Sequence, residues 1–183
     1  MNAPKKRARK SSGTYRWAVI VFATAVCISA GLTLVSQSAL ENAGLVLACA
    51  ISVFFILLGI VFDVIGMAAT AADPKPLNSM ASHKVPGARE ALYLLRHASQ
   101  VSSICNDVVG DICGIVSGVT AAVIVWHIQT AFQTQTVLIS VAVTALISGL
   151  TIGGKALSKP FAIRQGTKVI WWVGRIAHFF HRR

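Results

Sequence analysis

A chain of 183 residues that is 55% hydrophobic, 13% charged and has a mean hydropathy of +0.67 is too apolar for a soluble domain of its size. The net charge of +11 would suit nucleic acid, but the 17 Lys and Arg residues flank hydrophobic runs, as membrane topology requires, so no nucleic-acid partner is expected. The sequence predicts an all-α integral membrane protein with four transmembrane helices and interfacial amphipathic helices.

Residues 1–16 carry Lys5, Lys6, Arg7, Arg9, Lys10 and Arg16 and read as a basic cytoplasmic tail. Residues 17–36 follow as an uncharged, mostly apolar stretch. Its length exceeds the roughly 7 to 15 residues of a signal-peptide core, which favours an uncleaved N-terminal transmembrane helix. The second span is expected over 43–72, with Asp63 between Gly59 and Gly66, and Asp73-Pro-Lys-Pro76 ends it because proline lacks an N–H and restricts the residue before it.

Residues 77–98 place Leu77, Met80, Ala81, Ala88, Ala91, Leu92 and Leu95 at spacings near three and four, interrupted at Pro86-Gly87. They predict two short amphipathic helices along the membrane interface. A third span is expected over 100–127 and a fourth over 137–157. In 168–183, Val169, Trp172, Val173, Ile176 and Phe180 fall on one side of a helix, with Lys168, Arg175 and Arg182 on the other. This predicts an amphipathic cytoplasmic juxtamembrane helix on anionic lipid headgroups.

With both termini cytoplasmic, the three inner segments hold 6, 4 and 7 of the 17 Lys and Arg residues and the outer loops hold none. The positive-inside rule therefore supports a multi-pass protein of the plasma membrane. Cys27, Cys49, Cys105 and Cys113 all lie in apolar segments and read as small buried hydrophobes. His127 beside Trp126 reads as an interface residue, His178 and His181 belong to the surface tail, and His83 and His97 are isolated. No nucleophile elbow, phosphate loop or paired His/Cys set is present, so an enzyme is not expected.

The informative residues are acids inside the spans. Asp107 and Asp111 are four apart and share a helix face, while Gly110, Gly114 and Gly118 make a small-residue ladder for a second helix, within the protein or in a homodimer. An ionised group near the bilayer centre costs roughly 2.5 to 3.5 kcal/mol on insertion scales, so these acids call for a cation, a proton or a partner helix. Mg²⁺ takes about six oxygens and commonly uses one or two carboxylates with waters or carbonyls. Asp107, Asp111, Asp63 and Asn106, with Ser103 nearby, are the candidate metal ligands. Two other readings stand beside this one. Lys155 can compensate the acids internally, or snorkel to the surface; or protonated acids can bond helix to helix.

The motifs Asp63-Val-Ile-Gly66, Asn106-Asp-Val-Val-Gly-Asp111 and Gly154-Lys-Ala-Leu-Ser-Lys159 resemble, in order, spacing and helix location, those of the transmembrane domain of the cyclin M (CNNM) and CorB/CorC family. The resemblance spans roughly residues 45–175. It implies a three-helix transmembrane core over 43–167 with an interfacial helix pair, a cytoplasmic belt after the third core helix, and dimers linked to magnesium export. This protein departs in carrying Asp63 where the family has serine, Asp107 and Asp111 where it has asparagines, and Lys155 where it has glutamate. It also adds the span at 17–36 and stops before a CBS pair. The implied function is binding, and in one reading transport, of a divalent cation, Mg²⁺ first. The alternative is a non-transporting scaffold or regulator in which Lys155 replaces the cation and the partner is a second copy or a related transporter.

Overall fold

The computed structural model describes residues 19, 22–23, 26–27, 29–31, 33–34, 44–133 and 136–181. Every regular element among them is helical. Helix α1, Leu45–Ala71, is largely apolar, with Asp63 its one charged residue, and contains no proline; it stops at Ala72, whose extended backbone leads into Pro74. Helix α2, Pro74–Ser82, begins with Asp73 as its N-cap, the side chain accepting the Lys75 N–H at 2.9 Å. Helix α3, Ala88–Arg96, starts after Gly87, which holds φ +82°. A side chain there would be strained.

Helix α4 runs from Ala98 to Ala131 and helix α5, Val137–Arg164, follows after a short connection. Gln165 breaks the path before helix α6, Gly166–His181. Three of these helices, α1, α4 and α5, are long and apolar enough to cross a membrane. At 1.5 Å per residue they span about 40 Å or more, against a hydrocarbon core of about 30 Å, so their ends reach the headgroup layers. Their outward sides carry Val46, Val53, Phe54 and Leu57 on α1 and Leu138, Leu146, Ile152 and Leu157 on α5, all exposed. Such a surface suits contact with lipid. Among the described residues three helices thus qualify as spans where the sequence predicts four; the expected span at 17–36 lies largely outside the described residues, and those described there are helical, Phe22 and Leu34 being exposed.

The helix pair between the first two of these spans matches the sequence expectation, including its break at Pro86-Gly87. Together with α6 it forms a belt at one end of the three long helices, around a core of Ala68, Ala69, Leu77, Ala91 and Ile170. The tail is correspondingly more than a two-sided surface helix. Its Ile170 and Gly174 are buried, whereas Trp172, Ile176 and Phe179 are exposed and Arg175 lies over the rings of Trp171 and Trp172 at 5.5 and 5.6 Å. Glycine permits the docking: a Cβ on Gly174 would sit 2.5 Å from the Gly87 carbonyl oxygen and 2.6 Å from the Ala91 nitrogen. The His178 Nδ1–H donates to Glu90 at 2.6 Å and fastens the far end of α6 to α3.

Candidate cation site

Helix α1 packs along both α4 and α5, and small residues set how closely. Gly59 faces Cys113 of α4, with 3.2 Å from a Cβ built at 59 to the Cys113 Cβ, and Gly154 of α5 receives the Ile60 side chain. One turn beyond Gly59 on α1 stands Asp63, and three residues further, on the same side, Gly66.

Opposite Gly66, α4 is not regular. Residues Ile104–Val109 form a π-helical stretch in which the Gly110 N–H reaches the Cys105 carbonyl five residues back. Such a stretch holds one more residue per turn than its neighbours, so side chains on either side of it lose their α-helical register; π-bulges recur at functional sites. Here the result is a division of the acidic motif. Cys105 and Gly110 are buried and Asn106 is half-buried, whereas Asp107 and Asp111 are exposed.

Asn106 lays its amide against the Cα of Gly66, and its Nδ2 donates to Ser102 Oγ at 3.3 Å. The Asn106 Oδ1 is shielded from solvent and has no hydrogen-bond partner. The same is true of the Asp63 Oδ2. Two acceptor oxygens, one an amide and one a carboxylate, are thus buried without donors on the two sides of the α1–α4 contact. Leaving a buried polar atom unsatisfied costs about 1 to 3 kcal/mol, and more for a charged group.

Lys155 is half-buried on α5, with its Nζ 3.7 Å from where a Cβ on Gly110 would lie. Its ammonium therefore points toward α4, one helical turn from Asn106, instead of snorkelling away. Yet no ion pair within 4.0 Å joins Lys155 to Asp63, Asp107 or Asp111 among the described residues. The charge compensation expected from sequence is at most an interaction over longer range.

The structure thus sets Asn106 against Gly66, three residues along α1 from Asp63, turns the Lys155 ammonium toward Gly110 of the same stretch of α4, and leaves Asp107 and Asp111 on the outward side of α4. Among the described residues no three His, Cys, Asp or Glu side chains gather as a ligand cluster. For Mg²⁺ the fit is partial: Asp63 and Asn106 offer hard oxygens of the right kind, fewer than the ion's six, so an ion there keeps water. Gly114 and Gly118 continue the outward face above Asp111, and a Cβ on either would meet nothing within 4 Å. Gly110 is buried instead, near the Lys155 ammonium, so of the small-residue ladder read from sequence only Gly114 and Gly118 stand open.

Sequence reasoning places Asn106 among the candidate ligands but misses the π stretch at which it meets Gly66. The signal available was Gly66: a glycine one turn from an intramembrane acid marks where a second helix comes close. Against known proteins the sequence and fold match no family model, no curated relative and no solved structure.

Proposed function

We propose that this is a multi-pass protein of the plasma membrane, with a CNNM-like core, that binds a divalent cation, Mg²⁺ in first place, between Asp63 and Asn106. The observation that carries this reading is the pair of buried oxygens without donors, Asp63 Oδ2 and Asn106 Oδ1. A cation satisfies both at once; a proton on Asp63 satisfies one. Exchange of one for the other at a carboxylate of this depth is the elementary step by which such a site moves an ion. Lys155 tunes the affinity by placing a positive charge across the same contact.

The test is Mg²⁺ binding to the purified protein in neutral detergent, followed by Mg²⁺ flux into proteoliposomes. Asp63→Asn removes the carboxylate while keeping its shape, and the expected result is loss of binding with the helical fold retained. The Asp107→Asn, Asp111→Asn pair is expected to keep binding. Binding by Asp63→Asn equal to that of the wild type would sink the proposal.

A second reading is favoured by the outward side of α4, where Asp107, Asp111, Gly114 and Gly118 stand exposed with open space beside the glycines. Two carboxylates facing lipid are costly, and small residues admit a second helix closely. In this reading the protein also assembles through that face, with a second copy or a related transporter.

A further inference from the structure

The break at Gln165 does more than redirect the backbone. It brings Arg164, the last residue of α5, and Lys168, in the first turn of α6, to one cavity of about 330 Å³. Pro76 and Met80 of α2 and Trp171 of α6 give it apolar walls, and Thr167 adds a hydroxyl. Both cations are exposed, and neither has an ion-pair partner within 4.0 Å among the described residues. The nearby acid, Asp73, lies outside the lining and pairs with neither cation: its carboxylate accepts the Lys75 N–H at 2.9 Å, and its own N–H donates to Thr167 Oγ1 at 3.2 Å. Because Thr167 Oγ1 is the acceptor in that bond, its proton is free to be donated. Trp171 adds an indole N–H that is shielded from solvent and has no acceptor. Gln165 completes the lining, which is mostly apolar and includes two cations and no carboxylate.

Its depth is set by α5. A helix of 28 residues is about 42 Å long, so Arg164 at its end reaches beyond a hydrocarbon core of about 30 Å into the headgroup layer. A tryptophan in the wall suits the same level, where indoles concentrate.

We propose that this cavity binds the phosphate of an anionic phospholipid, with Arg164 and Lys168 on the phosphate oxygens, the Thr167 hydroxyl donating beside them, and Pro76, Met80 and Trp171 against the glycerol and first acyl carbons. Phosphate is the shared chemistry of a lipid headgroup and of the free ion. The apolar walls and the depth select the lipid. The site rests on the membrane assignment of the three long helices and is independent of the cation site, so either can fail alone.

The test uses the full-length protein in neutral detergent, incubated with equal amounts of dioleoyl phosphatidylglycerol and dioleoyl phosphatidylcholine, with bound lipids counted by native mass spectrometry. One phosphatidylglycerol is expected to be retained in preference to phosphatidylcholine. The Arg164→Gln, Lys168→Gln pair is expected to weaken that retention about thirtyfold, taking each basic residue at its usual contribution near an anionic surface. Arg89→Gln with Arg96→Gln removes the same charge from exposed positions on α3 and is expected to leave retention unchanged. Equal loss in both pairs would reduce the effect to net charge and overturn the site. So would the absence of any lipid preference, or displacement of the lipid by millimolar inorganic phosphate.

Discussion

The Asn106 amide carbonyl lies against the Cα of Gly66, closer than any Cβ at that position would allow. This contact fixes where the π stretch meets α1, three residues along the helix from Asp63. Adding one methyl group at Gly66 must displace Asn106 or part the helices. Gly66→Ala is therefore expected to destabilise the protein by about 1 to 3 kcal/mol, the usual cost of overpacking, and to abolish Mg²⁺ binding. Gly114→Ala meets open space and should melt like the wild type. Thermal melts of both variants in the same detergent make the comparison, and an unchanged melt for Gly66→Ala would show that Asn106 yields freely.

Lys155 provides a separate handle, because its ammonium faces the same stretch of α4 without pairing to an acid within 4.0 Å. Like-charge repulsion through a medium of intermediate dielectric opposes a cation bound at Asp63. Lys155→Gln is expected to tighten Mg²⁺ binding roughly tenfold, equal to about 1.4 kcal/mol, with little change in the melt. Titration calorimetry reads this directly. Weaker binding in the variant would mean that Lys155 holds the acid in place, and would support the scaffold reading.

The long helices and the broken interfacial pair were legible in the sequence because length, hydropathy and Pro86-Gly87 act locally. The placement of Asp107 and Asp111 was only half legible. Their four-residue spacing correctly puts both on one side of α4, but which side faces the protein depends on the π stretch, and a π stretch is chosen by packing against α1. The same holds for α6. Its basic and apolar faces are written in its periodicity, whereas its docking onto α3 depends on Gly174 meeting Gly87 and Ala91, residues more than 80 positions away. The cavity between Arg164 and Lys168 was invisible for a similar reason, since its walls come from α2 as well as α6.

That docking can be broken at one position. A β-branched residue at 174 would meet the backbone of Gly87 and Ala91 at 2.5 and 2.6 Å, and backbone cannot rotate aside. Gly174→Val is expected to free α6 from α3, making the residues after Gln165 sensitive to trypsin at Lys168 and Arg175 while α1, α4 and α5 remain helical. His178→Phe removes only the bond to Glu90. With both partners about one-third exposed or less, that bond contributes about 1 kcal/mol after solvent screening, so this variant should show a milder gain in cleavage. Protection of the tail in Gly174→Val would mean that α6 is held by the membrane surface and not by α3.

The outward acids complete the comparison with Asp63. No side chain of the same molecule bonds Asp107 or Asp111 among the described residues, so replacing both with asparagine removes no internal contact. The melt of the Asp107→Asn, Asp111→Asn protein in detergent is accordingly expected to stay within about 0.5 kcal/mol of the wild type, as for substitutions away from packed groups. Assembly should respond differently, because two carboxylates and the open glycines Gly114 and Gly118 share that face. If a partner helix covers it, neutral asparagines change the charge that the partner was matched to, and the mass distribution by light scattering shifts toward the monomer. An unchanged distribution together with an unchanged melt would leave the face without a partner and assign the chemistry of the protein to Asp63 and Asn106 alone.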